Sequence, residues 1–178
     1  MKLMQSMNMK SGKDSFSVLS RAPFKKILVA VDGSDSSKRA AFVALGLAEG
    51  LKAELILLHA ISPPTKYYGT TIPTPSGVTP PPVSQHEIDA YYEYARRAAE
   101  AMVADVESQA KKGGVNVRAE FPQGVGSVVE TIINHADNEK ADLIVVGTRG
   151  LGGFKKLLIG SVSNGVVSHA STPVLVVR

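Results

Sequence analysis

The sequence predicts an α/β sandwich built on a parallel sheet. Short runs that are apolar at every position recur along the chain, amphipathic helical stripes fall between them, and capping or turn residues mark the junctions. A strand buried on both faces needs such an uninterrupted apolar run, and strands alternating with helices build parallel sheets with right-handed crossovers.

Ile27 to Val31 form the first strand, ending at Asp32 and Gly33. Ser34, Asp35 or Ser36 then caps a helix whose apolar stripe is Ala40, Ala41, Val43, Ala44, Leu47 and Leu51. Glu54 to Ala60 is the second strand. Glu87 to Lys112 is a long helix, with Ile88, Tyr91, Tyr92, Ala95, Ala99, Met102, Val103 and Val106 near helical spacing, and Gly113-Gly114 ends it. Val115 to Phe121 alternates as a third strand. Ser127 and Glu130 have capping-box spacing at the start of a third helix. Ala141 to Gly147 is the fourth strand, Gly160 or Ser161 opens the fourth helix, and Pro173 to Val177 is the fifth strand.

The chain's 178 residues fit one domain, and 44% hydrophobic content suffices for one core. Residues 1–23 stand apart: they hold four methionines, several serines and a single acid, Asp14. Polar residues interrupt any signal-type apolar stretch there, so they read as a flexible extension or the product of a misplaced start codon. Residues 62–84 hold most of the ten prolines and read as a mobile loop, disordered or lid-like. The folded domain is therefore 24–178.

Cysteine is absent, which excludes disulfides and cysteine metal sites and suits a reducing cytoplasm. No apolar run approaches the roughly 18 residues that span a bilayer, so no membrane partner is expected. The charge of +4 and pI near 9.3 could serve a polyanion. Lysines and arginines are spread along the chain and do not alternate with aromatics, so a solvated basic surface is the better reading and nucleic acid is not the expected partner.

One segment carries chemistry. After strand four the chain reads Gly147-Thr148-Arg149-Gly150, then nine residues, then Gly160-Ser161-Val162-Ser163. Glycine allows unusual turns and close approach of a ligand to the main chain. A helix starting at Gly160 or Ser161 presents unpaired amides and partial positive charge, a natural seat for phosphate. Ser161 and Ser163 add hydroxyls; Arg149, Lys155 and Lys156 add positive charge. Each residue alone has a structural explanation, since glycines end strands and serines cap helices; the combined spacing is what points to phosphate.

The segment GTRGLGGFKKLLIGSVSNGVV resembles the signature of the universal stress protein family, G-x-x-G, nine residues, then G and S or T. KKILVAVDGS, the LLHA end of strand two and the closing STPVLVV are similar too, so the resemblance covers residues 25–178. It implies a Rossmann-like, adenine nucleotide alpha hydrolase-like three-layer sandwich with five parallel strands in the order 3-2-1-4-5. In that order the chain reverses between strands one and four, and ligands bind at the C-terminal strand ends of such a switch point. Asp32 and Gly147 end those two strands.

The ATP-binding branch of the family supplies roles by resemblance. Ala30, Val31 and Asp32 would line the adenine end, and the main chain at Ala60 would meet the adenine edge. Asp32 would accept a hydrogen bond or help hold a metal through water, with capping of helix one as its structural alternative. Val146 and Gly147 would contact the nucleotide, Gly150 would lie beside ribose and phosphates, and Gly160, Ser161, Val162 and Ser163 would bind phosphate. Mg²⁺ or Mn²⁺ would accompany a triphosphate. The resemblance also implies a homodimer through strand 173–177, an edge that is hazardous unless paired.

The expected function is therefore an ATP- or AMP-binding stress or signalling module that acts on protein partners the sequence does not identify. The Walker pattern is absent and no nucleophile–base constellation is evident, so at most slow ATP hydrolysis is expected. His59, at the end of strand two, is read as structural, and His135 and His169 as surface or helix-end residues. The alternatives are a nucleotide-independent dimeric partner-binding protein and a weak ATPase or adenylate-transferring enzyme.

Overall fold

The computed structural model describes residues 24–62, 83–123, 126–148 and 159–178. The N-terminal extension, most of the proline-rich loop and the central part of the glycine-spaced segment lie outside these residues. The strands are β1 (Lys26–Ala30), β2 (Glu54–Leu58), β3 (Val117–Glu120), β4 (Leu143–Gly147) and β5 (Val174–Val177). The helices are α1 (Asp35–Leu51), α2 (Gln85–Lys112), α3 (Val128–Glu139) and α4 (Ser161–His169). All strand pairs are parallel and the order is β3-β2-β1-β4-β5.

Alternation along each strand sends side chains to two cores. Ile27, Val29, Leu55, Leu57, Leu143 and Val145 pack under α1 and α2, against Ala40, Ala44, Ala48 and Val103. Leu28, Ile56, Ile144 and Val146 pack on the other face under α3 and α4, against Ile132, Ala136 and Val166. The result is a three-layer sandwich.

Helix boundaries follow from capping. Ser34 caps α1, its hydroxyl accepting from Ser37 N at 3.1 Å. Ser84 and Glu87 form a reciprocal capping box, so α2 starts two residues before the expected Glu87. At α3 the Ser127 hydroxyl takes the Val129 N–H instead of the expected Glu130 N–H. The stripe of α1 also differs from expectation. Val43 is 41% exposed, while Leu45 and Ala48 are buried, because the helix presses its alanine-rich face flat on the sheet. The expected strands overrun at their ends: Val31, His59 and Ala60, Val115 and Ala141 remain sheltered although the regular ladder has stopped or not yet begun.

Candidate functional site at the switch point

The chain leaves β1 toward β2 and β3 on one side, and returns to β4 and β5 on the other. Val29 pairs with Val145, so Val31 lies level with Gly147 across the crevice at the C-terminal strand ends. Ala30 and Ala60 are half-buried small residues near that rim, and Val31 is buried. Gly33 holds φ at +84°, which lets the chain turn sharply from β1 into α1. The Asp32 carboxylate accepts the Ser34 N–H at 3.0 Å, so it shapes that turn.

Hydrogen bonds pin the start of α4 to the end of β4. Gly160 N donates to Thr148 O at 2.6 Å, and Ser163 Oγ donates to Gly147 O at 2.6 Å. Thr148 in turn donates its N–H to Val177 O at 2.8 Å, and its hydroxyl meets Ser36 Oγ at 3.3 Å. Thr148 and Ser36 are buried; Ser36 was expected only as one of three possible caps of α1, and no role was expected of Thr148. Nothing local in the sequence marks Ser36 as the partner of Thr148.

Two expected site residues carry structural duties. A Cβ on Gly147 would lie 2.6 Å from Ser36 Oγ and 2.7 Å from the Ser36 carbonyl carbon, so the close seating of α1 demands glycine there. Ser163 is buried and spends its proton on Gly147 O, which leaves its N–H, not its hydroxyl, to the helix start. Val146 is buried beneath the rim.

Gly160 is the N-cap of α4, with φ −72° and ψ 163° and no side-chain cap bond. Any residue can adopt that conformation; glycine is not required by the backbone. Ser161 and Val162 are exposed. The first intrahelical bond is Asn164 N to Gly160 O, at 2.9 Å. The amides of Ser161, Val162 and Ser163 precede it and have no acceptor within the helix. Arg149 and Gly150 lie outside the described residues, as do Lys155 and Lys156.

His59 borders the crevice: its Nδ1 lies 2.8 Å from Val31 O. Away from the crevice, His135 corrects the surface reading. It sits mid-helix on α3, half-buried, with Nε2 2.5 Å from Glu120 Oε2. This buried nitrogen nevertheless has no hydrogen bond among the described residues. His169 is exposed at the end of α4, as expected, and bonds Gly165 O.

Glu120, His135 and Glu139 bring metal-type ligands within 4.8 Å of one another. Their cation is already present, because the Arg118 guanidinium contacts Glu120, Glu139 and Glu54, and Lys26 reaches Glu54 and Glu139. Burial pushes the His135 imidazole below its ordinary range, and Arg118 adds to this against the pull of Glu139. The hydrogen bond from Arg118 holds the Glu139 carboxyl below its ordinary range. These features define a polar brace between the sheet and α3.

The fold and the switch-point crevice define a doubly wound parallel α/β protein whose candidate ligand site lies between β1 and β4. More specifically, residues 23–178 match the universal stress protein family, and the chain belongs to it. A universal stress protein of Thermus aquaticus is 40% identical over 157 residues, covering 87% of this chain and 99% of that relative. The solved structure of universal stress protein UspA from Lactobacillus plantarum superposes with a TM-score of 0.64 at 27% identity, over 87% of this chain and 98% of that one. A universal stress protein solved in complex with cAMP gives 0.56 at 28% identity, over 87% and 97%. Among the described residues no helix is long and apolar enough to cross a membrane.

Proposed function

We propose that this chain binds an adenine nucleotide, ATP or AMP, across the switch-point crevice, and that occupancy is its signal. Adenine sits beside Ala30, Val31 and Ala60, and phosphates sit at the start of α4 on the amides of Ser161, Val162 and Ser163. The observation that carries the reading is Gly160. It caps α4 without a side chain, in a conformation that does not need glycine, directly before the orphan amides that open α4 at the rim of the crevice. The family relative in complex with cAMP supports an adenine ligand.

Mg²⁺ or Mn²⁺ accompanies a triphosphate and is held chiefly by phosphate and water. Asp32 contributes through water, since its carboxylate already holds the turn after β1. Among the described residues of the crevice none is assigned as a nucleophile or base, so hydrolysis is slow. The chain acts as a homodimer through strand 173–177, whose edge otherwise leaves backbone N–H and C=O groups unpaired. Protein partners read the occupied state.

Gly160→Val tests the site. Valine accepts the observed φ and ψ, and its side chain stands where phosphate approaches. Affinity for AMP or ATP falls at least about tenfold, while the thermal midpoint stays within about 2 °C. Unchanged affinity rejects this placement of the phosphates.

A further inference from the structure

The parallel ladder between β1 and β2 runs in register to Ala30↔Leu58, and one more rung follows, Val31 N to Leu58 O at 2.9 Å. In a parallel ladder a residue bonds through its N–H to one residue of the neighbouring strand and through its C=O to the residue two further on. The next rung is thus Ala60 N to Val31 O. That rung is missing. Val31 O lies instead 2.8 Å from His59 Nδ1. A carbonyl can only accept, so Nδ1 carries the proton and donates it. On its other side the continuation of β2 stays attached to the β3 strand: His59 N bonds Glu120 O at 3.0 Å, and Ile61 N bonds Pro122 O at 2.9 Å. Ala60 lies between these two anchors. Among the described residues neither its N–H nor its C=O has a backbone partner.

We infer that His59 is a positioning residue, whose imidazole replaces the Ala60 N–H as the partner of Val31 O and so leaves the Ala60 main chain open toward the crevice. The inference rests on the adenine reading for its ligand, but the replaced rung stands on the hydrogen bonds alone. An open N–H and C=O on one residue match the Watson–Crick edge of adenine, which offers N1 as acceptor and the 6-amino group as donor. Hypoxanthine presents the reverse pattern, an N1–H donor and a 6-oxo acceptor. A main-chain pair left without its partners penalises the wrong base heavily. Removing the imidazole lets the ordinary rung close, with Ala60 N bonding Val31 O. The site then loses its reader, while the sheet gains a bond in place of the one it lost.

The experiment uses the full chain in four forms: wild type, His59→Ala, His59→Asn and His59→Gln. Hydrogen exchange of the Ala60 amide is followed by NMR without ligand. It is unprotected in the wild type and becomes protected at least about tenfold in His59→Ala. The thermal midpoint of His59→Ala stays within about 2 °C of the wild type, since one backbone bond replaces one side-chain bond. Asparagine places a side-chain N–H where Nδ1 stands and restores the open amide; glutamine, whose donor reaches the Nε2 position, does not. In titrations the wild type prefers AMP to IMP by about 100-fold, and His59→Ala reduces that preference to about tenfold or less.

An Ala60 amide already protected in the wild type, or still unprotected in His59→Ala, overturns the inference whatever the protein binds. Altered exchange as expected, with no binding of AMP by the wild type, upholds the replaced rung and overturns the adenine reading instead. Equal AMP preference in wild type and His59→Ala overturns the role of His59 in base selection.

Discussion

Ser163 Oγ donates to the Gly147 carbonyl oxygen at 2.6 Å, which ties the first turn of α4 to the last residue of β4. Ser163 is buried, so Ser163→Ala leaves that carbonyl without its partner, away from water. Unfolding in urea shows a loss of about 1–3 kcal/mol. Nucleotide affinity falls little, because this hydroxyl points inward. Ser161→Ala behaves in the opposite way. Its hydroxyl is exposed at the proposed phosphate seat, so stability holds and affinity in titration drops about threefold to tenfold.

Gly147→Ala strains the junction of α1 and β4. The added Cβ meets Ser36 backbone at 2.7–2.8 Å, and backbone cannot swing aside as a flexible side chain can. The variant loses about 1–3 kcal/mol or more by chemical denaturation. Gly165→Ala serves as a comparison. The three atoms nearest its Cβ all belong to the Val129 side chain, the first at 2.7 Å, and that side chain, unlike backbone, can shift between α3 and α4, so the loss is smaller.

The brace at His135 makes stability depend on pH. Its folded imidazole is held below the ordinary value by burial, so the unfolded chain takes up a proton first as pH falls. Stability from this group is full above the unfolded value of about 6.5 and is lost as pH drops from there toward the lower folded value. The groups facing it are Glu120 and Arg118 from β3 and Glu139 from α3, with Lys26 and Glu54 completing the network. Glu139 acts over a more acidic range: its contribution is present above the unfolded carboxylate value and is lost as pH falls through the depressed folded value. Urea midpoints at pH 7.5 and 5.5 show a smaller decline for His135→Gln than for the wild type. An equal decline in both proteins contradicts the account of this brace.

At the sheet edge, Pro173 and Val177 turn their carbonyls to β4, so Val174 and Val176 turn their own N–H and C=O groups outward. Val176→Pro removes one outward donor without touching the β4 ladder. Analytical ultracentrifugation shows a dimer for the wild type and a shift to monomer for this variant. A wild-type monomer at all concentrations contradicts the proposed dimer.

Much of the fold was legible because buried parallel strands demand uninterrupted apolar runs. Ile27 to Val31 and Leu143 to Gly147 could be little else. The ends were less legible. Val31, His59 and Ala60 look like strand in sequence, but where the ladder stops depends on which donor reaches Val31 O, and that is decided by an imidazole whose orientation no periodicity encodes. At the candidate site, Gly160 and Ser161 were read from local pattern as the helix start, and the helix does start there. Gly147 was read for ligand approach, whereas its tight neighbour is Ser36, more than a hundred residues earlier in the chain. The brace was missed for the same reason. Arg118 and Glu120 on the polar face of β3, with His135 and Glu139 one helical turn apart, were the available signals, and only the pairing of sheet and helix joins them.

The central claim is that the crevice holds an adenine nucleotide. Calorimetric titration of nucleotide-stripped protein with AMP, and with ATP plus Mg²⁺, tests it most directly. The account predicts saturable heat with one nucleotide per chain, and affinity weakened at least about tenfold in Gly160→Val. No heat with either nucleotide, from folded wild-type protein, would contradict it.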